Sequence, residues 1–277
     1  MADIRKNLII LAFVLSGVLV SLLVLNFQKI EKDQGAEILN ARPETSKSFP
    51  VKISRGTVNF FNLKGGSGKV VFYEATDSMI YEIGFDARNK KELARIPDVL
   101  KMVFSPNGYE IVTAVSEKGT LKNYYFDLSD DKRAALPKEI ENAVFSPDGG
   151  KIAYYLYDLA RDEGNVSVAK PDGSGAATIF RTKIKNLGLL WPETNLIILY
   201  SAEDEKNQSL AFSMTPDGKE FQRITGEELN SRLKSTPEET SILQKLGIEA
   251  IDSRLNPLKD YLIFINAKDG KLYSLKI

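Results

Sequence analysis

Hydrophobic positions along this chain fall into two patterns. The first is one unbroken apolar run, Leu8 to Phe27, without a charged residue. The second starts near Phe49 and continues to Ile277. There, short apolar runs are separated by polar clusters rich in Pro, Asn, Asp and Gly. Short apolar runs bounded by turn residues predict β-strands, and their regular recurrence predicts an all-β architecture. Residues 28–48 between the two patterns are polar, carry Gly35 and Pro43, and read as a linker that starts as a helical extension of the first run.

The strand-rich part repeats. Val103-Phe104-Ser105-Pro106-Asn107-Gly108 returns as Val144-Phe145-Ser146-Pro147-Asp148-Gly149, 41 residues later. Pro presets φ for the second position of a turn, and Asn or Asp followed by Gly suits positive φ, so each copy predicts a tight reversal between two strands. In the third repeat, strands are expected at Ala143–Phe145, Lys151–Tyr157, Asn165–Lys170 and Ala177–Arg181. Four antiparallel strands at a period near 40 predict a propeller blade. Degraded copies run through Val58–Ile96, Leu187–Ile224 and Ser253–Ile277. The turn prolines of repeats two to five, Pro106, Pro147, Pro192 and Pro257, are spaced 41, 45 and 65 residues, and Pro216-Asp217-Gly218 marks a further turn within the fourth repeat.

The long last spacing holds an insertion. Thr225-Gly226-Glu227-Glu228 and Thr236-Pro237-Glu238-Glu239 fit the capping-box pattern, and Gly247 fits a helix C-cap. Two short helices are expected near 226–234 and 237–246, within an insertion over 226–247. Their apolar residues Leu229, Leu233, Ile242, Leu243 and Leu246 are expected to lie against the propeller; the alternative is a partner-binding surface. The chain ends in what reads as the third strand of the last blade. Phe49 to Ser54 is expected to supply the missing outer strand and close a five-bladed ring. The alternatives are a truncated six-bladed ring or closure between two chains.

The phrases Phe-Ser-Pro-Asn-Gly and Phe-Ser-Pro-Asp-Gly, followed by Tyr-Glu-Ile-Val and Lys-Ile-Ala-Tyr-Tyr, resemble the TolB-like propeller repeat, which also occurs in the propellers of prolyl-oligopeptidase-type enzymes. The resemblance covers most of residues 56–277. The turns at Trp191 and Asn256 depart from its pattern. It implies a β-propeller, and the repeats with the closing strand predict an all-β propeller of about five four-stranded blades over 49–277. It also implies recognition of peptide segments of partner proteins at the top face or channel mouth. The matched residues, Pro106-Asn107-Gly108 and Pro147-Asp148-Gly149, are structural turn residues, so no partner-site residue is carried over.

Twenty apolar residues at 1.5 Å rise span about 30 Å, the thickness of a hydrocarbon core, so Leu8 to Phe27 predicts one transmembrane helix. A cleaved signal peptide is the alternative; its apolar stretch is shorter and ends at a small-residue site, whereas this run ends Val24-Leu25-Asn26-Phe27. Arg5 and Lys6 precede the run. This places residues 1–7 in the cytoplasm and the C-terminal domain outside a single-pass cell membrane.

Composition narrows the chemistry. The chain has 37 basic and 37 acidic residues, no basic excess for nucleic acid, no Cys and no His. Disulfides, thiolate metal sites and a Ser-His-Asp triad are therefore impossible within it. Lys64-Gly65-Gly66-Ser67-Gly68-Lys69 fails as a phosphate loop because Leu63 stands where the first Gly belongs and a strand follows. The acidic groups Asp127, Asp130, Asp131 and Glu203, Asp204, Glu205 do not fit an EF-hand loop. The tyrosines at 73, 81, 124, 125, 154, 155 and 157 are expected to fill the spaces between blades. No cofactor, metal or catalytic residue is expected. The expected function is a non-enzymatic protein-binding or scaffold module of the bacterial cell envelope. The alternatives are a ligand or glycan sensor, or an enzyme using two carboxylates in the propeller channel.

Overall fold

A computed structural model describes residues 49–64, 66–201, 210–233 and 237–277. The expected membrane helix at 8–27, the linker and the 203–205 acidic group lie outside the described residues. Among the described residues no helix is long and apolar enough to cross a membrane. The strand segments form five four-stranded antiparallel sheets, the blades of a β-propeller. Blade 1 is β2 (Val58–Lys64), β3 (Lys69–Glu74), β4 (Met79–Gly84) and β5 (Lys91–Arg95). Blade 2 is β6 (Val99–Phe104), β7 (Glu110–Glu117), β8 (Thr120–Asp127) and β9 (Lys132–Leu136). Blade 3 is β10 (Ile140–Phe145), β11 (Ile152–Asp158), β12 (Glu163–Ala169) and β13 (Ala177–Thr182). Blade 4 is β14 (Leu187–Glu193), β15 (Leu196–Ser201), β16 (Ala211–Met214) and the two-residue β17 (Gln222–Arg223). Blade 5 is β18 (Ala250–Leu255), β19 (Tyr261–Asn266), β20 (Leu272–Lys276) and, on its outer edge, β1 (Val51–Lys52).

Period-two alternation explains why the middle of the second strand of each blade is buried on both faces. Successive side chains point to opposite faces, and both faces of a blade meet a neighbour. On β3, Val70 and Phe72 join the cluster shared with blade 5, while Val71 and Tyr73 join the cluster shared with blade 2. On β11, Ile152 and Tyr154 face blade 2, and Ala153, Tyr155 and Tyr157 face blade 4. The tyrosines thus fill spaces between blades: Tyr73, Tyr81, Tyr125, Tyr154, Tyr155 and Tyr157 are all buried, and Tyr124 is packed at the edge of the cluster between blades 1 and 2.

The fifth junction is built differently. Apolar clusters join blades 1 to 2, 2 to 3, 3 to 4 and 5 to 1. The remaining face of blade 4, with Leu196, Ile198 and Tyr200, packs on Leu229 of helix α1 (Gly226–Leu233). The remaining face of blade 5, with Leu262, Phe264 and Leu275, packs on Ile242 and Leu243 of helix α2 (Pro237–Lys245). Among the described residues no buried apolar cluster joins blade 4 directly to blade 5. The two helices stand between them.

Local chemistry places these helices. The Thr225 hydroxyl accepts the Glu228 N–H at 3.2 Å as an N-cap. At the other end, Gly247 adopts φ 62° and the Ile248 N–H returns to the Leu243 carbonyl at 3.0 Å, closing α2. Ring closure comes from the segment before blade 1. Val51 pairs with Ser274 and Lys52 with Tyr273. Next to them the Ile53 N–H donates to Leu272 O at 2.8 Å, and the Leu272 N–H donates to Ser54 Oγ at 2.9 Å. The edge of β20 is thereby covered by the chain's own N-terminal strand.

Candidate functional site

The turns that end the inner strands shape one end of the propeller. In blade 2 the Ser105 hydroxyl donates to Asn107 Oδ1 at 2.7 Å and accepts the Glu110 N–H at 3.0 Å, while the Gly108 N–H returns to Ser105 O at 2.9 Å. In blade 3 Ser146 and Asp148 repeat this, at 2.6 Å from the hydroxyl to Oδ1 and 2.9 Å from the Lys151 N–H to the hydroxyl. The Ser146 hydroxyl, with the Gly150 N–H, holds the Asp148 carboxyl below the usual carboxylate range. Gly108 takes φ 76°, and a Cβ there would meet Val71 Cγ1 at 3.0 Å, so this turn sits close against blade 1.

The degraded turns divide. Asn256 replaces the serine in blade 5: its Oδ1 accepts the Asp260 and Tyr261 N–H groups at 3.0 and 2.9 Å, and Lys259 takes φ 55° at the glycine position. The turn geometry survives with different residues. Pro192, expected in the equivalent turn of blade 4, is instead in strand β14, where the pairing with β15 shifts between Leu190 and Glu193. A residue without an N–H is accommodated where the ladder is interrupted, which corrects that expectation. Pro216-Asp217-Gly218 forms the turn between β16 and β17, with the Thr215 hydroxyl donating to Asp217 Oδ1 at 2.5 Å. The Asp217 carboxyl is held at about 2 by Lys219 first and then by that hydroxyl.

These turns bring residues of four blades together around the channel. A depression of about 460 Å³ lies at this mouth. Its walls are Leu63 from blade 1, Val103 from blade 2, Val144 from blade 3 and Leu190 from blade 4. Pro106, Pro147 and Pro192 also line it, whereas Pro216 and Pro257 are not among its lining residues. Trp191 lines it too, 8% exposed, and its Nε1–H is buried without a hydrogen-bond partner. The polar side chains in the lining are Asn62 and Ser146. Asn62 Nδ2 donates to Ser105 O at 3.0 Å, and the Ser146 hydroxyl is engaged with Asp148. Among the described residues no ionisable side chain lines the depression. Such a site can hold an uncharged, apolar group.

The other end of the channel differs. Pairing of the inner strands slips at their second residue in four blades, at Asn59, Leu100, Glu141 and Ile251. Such bulges re-aim side chains, and Leu100 and Ile251 stand 57% and 68% exposed. A separate groove of about 480 Å³ between blades 1 and 2 carries four cations, Arg95, Lys118, Lys122 and Arg133. Glu117 already binds two of them, Lys122 at 2.7 Å and Arg133 at 2.9 Å, which with Tyr124 hold its carboxyl at about 2.

The insertion leaves little of its apolar face free. Leu229 and Leu243 are buried on blades 4 and 5 and Ile242 is half-buried, so these residues are covered by the propeller; Leu246 is 47% exposed. Leu233 lies at the end of α1. The 127–132 acidic segment is a local turn: Asp127 Oδ1 accepts from Ser129 and Asp130, and Lys132 pairs with Asp130 at 2.6 Å. Among the described residues no three acidic side chains converge as metal ligands. Residues 66–68 form the reversal between β2 and β3, not the start of a helix. Of the mouth residues, Leu63, Val103, Val144, Leu190 and Trp191 had no functional reading in the sequence. Their available signal was position, immediately before each inner-strand turn.

No protein-family model matches this sequence, and no curated protein does. Solved structures similar to the chain include TolB proteins and peptidases. TolB from Acinetobacter baumannii is 12% identical with a TM-score of 0.46, over 81% of this chain and 55% of that one. The β-propeller domain of the Trilobed protease from Pyrococcus furiosus is 14% identical with a TM-score of 0.46, over 79% of this chain and 82% of that one. The acylaminoacyl peptidase of Pyrococcus horikoshii is 12% identical with a TM-score of 0.47, over 80% of this chain and 45% of that one. The chain thus spans about half the length of the TolB and of the acylaminoacyl peptidase.

Proposed function

We propose that this protein is a non-enzymatic, protein-binding propeller of the cell envelope. A single N-terminal helix, residues 8–27, would tether it to the membrane with the propeller outside the cytoplasm. The observation that carries the binding function is the depression at the channel mouth, apolar on four blades and edged by Trp191. A concave, mostly apolar site is the usual form of a recognition site. The absence of His and Cys from the chain supports binding rather than acid–base or thiol chemistry.

The test is photo-crosslinking in the native membrane. A photoreactive residue replaces Pro147 at the mouth or Leu159, which is 81% exposed in the turn between β11 and β12. The expected result is one envelope protein captured from position 147 and not from 159. Equal capture at both positions, or no protein adduct at 147, overturns the reading.

A further inference from the structure

A second surface specifies its occupant, on the reading that this protein binds other proteins. We propose that the groove between blades 1 and 2 receives an extended, acidic segment of a protein partner, in which apolar residues alternate with the acidic ones.

Charge is the first reason. The lining carries Arg95, Lys118, Lys122 and Arg133 against the carboxylates of Asp98 and Glu117, an excess of two cations in a chain whose basic and acidic residues balance. Glu117 pairs with Lys122 and Arg133, whereas among the described residues Arg95, Lys118 and Asp98 form no ion pair. Arg95 ends the outer strand of blade 1 and Lys118 stands at the β7–β8 turn of blade 2, so the unpaired cations reach the groove from two blades. Complementary charge is what such a rim selects for.

Order is the second. Glu117 holds Lys122 and Arg133 in place, and the Arg133 guanidinium lies 3.5 Å from the centre of the Tyr124 ring. Cations fixed before a ligand arrives lose less freedom on binding it. The third is the floor. Ile96 and Val115 are buried there, and Tyr124 and Phe126 are half-buried; all four belong to the apolar cluster between blades 1 and 2. A lone inorganic anion would meet the cations and leave this surface uncovered. In an extended peptide successive side chains point to opposite sides, so acidic residues reach the rim while the intervening apolar ones lie on the floor.

The test is calorimetric titration of the full-length protein, in uncharged detergent near neutral pH, with an end-capped octapeptide alternating Glu and Leu. Two comparison peptides replace every Glu by Gln or by Lys. The expected result is saturable binding of the Glu–Leu peptide that weakens as salt is added. The Gln peptide should bind roughly tenfold more weakly, the scale of two exposed ion pairs, and the Lys peptide not at all. Arg95→Gln combined with Lys118→Gln should weaken the Glu–Leu peptide by about tenfold with an unchanged urea midpoint. Lys151→Gln combined with Lys268→Gln removes two exposed charges on blades 3 and 5 and should leave the affinity unaltered. The peptide comparison and the salt dependence use the unaltered protein and do not depend on any variant folding.

Equal affinity for the Glu and Gln peptides, equal losses in the two double variants, or displacement of the Glu–Leu peptide by an equal concentration of inorganic phosphate overturns the proposal. If no peptide binds while position 147 still captures its partner, the groove proposal falls and the protein-binding reading stands. Groove binding with no adduct at position 147 keeps the groove and removes the mouth.

Discussion

Asn142 Nδ2 donates to the carbonyl oxygen of Leu187 at 2.7 Å, from the inner strand of blade 3 to the inner strand of blade 4. Asn62 to Ser105 O at 3.0 Å and Lys101 Nζ to Glu141 O at 2.7 Å repeat the relation between blades 1 and 2 and between blades 2 and 3. Inner strands have a ladder partner on one side only, so their other edge faces the channel with backbone groups to satisfy. Here the preceding blade supplies donors. Asn142→Leu should lower stability by about 1–2 kcal/mol by leaving that carbonyl without its donor. An unchanged urea midpoint would show that channel water replaces the amide at no cost.

Closure by β1 has a direct test. A chain beginning at Gly56 loses the pairs Val51–Ser274 and Lys52–Tyr273 and the buried Ile53, 6% exposed. It should be less stable by about 2–4 kcal/mol, the scale of losing one buried aliphatic side chain with its hydrogen bonds. The exposed edge of β20 should also promote association, seen by light scattering. A monomer of unaltered stability would refute closure by this strand.

Acid should act through Glu82. Its carboxylate is buried between Lys64 Nζ and Lys69 Nζ, each at 2.6 Å. Burial pushes its carboxyl up, but the hydrogen bonds and charges of the two ammonium groups leave it below its ordinary value of 4.5. A carboxyl lowered on folding adds stability above its unfolded value, and that stability is lost as pH falls through the folded value. Urea midpoints should therefore fall below about pH 4.5. Glu82→Gln should flatten this acid limb and cost about 3 kcal/mol near neutrality, since Lys64 is then buried without its counter-charge. Parallel pH profiles for the two proteins would falsify this role.

Topology is open to chemical labelling because the chain has no native cysteine. Lys118 is exposed at the β7–β8 turn. Lys118→Cys should react with a membrane-impermeant maleimide in intact cells. Protection until lysis would reverse the proposed orientation.

The legible features of this chain were local ones. Ser105 and Ser146 each build a turn from side-chain and backbone groups within five residues, so the recurring phrase predicted the hairpin that forms. Thr225 and Gly247 marked helix ends for the same reason. Pro192 misled because its environment is not local: a shift in pairing with β15 keeps it within a strand. The Asn256 turn departs from the repeated phrase, yet Asn256 Oδ1 substitutes for a serine hydroxyl and Lys259 for a glycine. The apolar mouth residues carried no mark beyond their position ahead of a turn. Val103 and Val144 read like any other strand residue.

By itself the sequence determined the repeating strand–turn unit, the two-helix insertion, the absence of His and Cys chemistry and the long apolar run near its start. Each depends on residues close together in the chain, or on composition. Tertiary structure decided between closure of five blades through β1, which the sequence favoured, and the alternatives, and it alone decided that helices occupy the junction between blades 4 and 5 and that Leu63, Val103, Val144 and Leu190 meet beside Trp191. Those outcomes depend on which faces and edges remain unpaired once all blades are in place. No short segment of the chain contains that information.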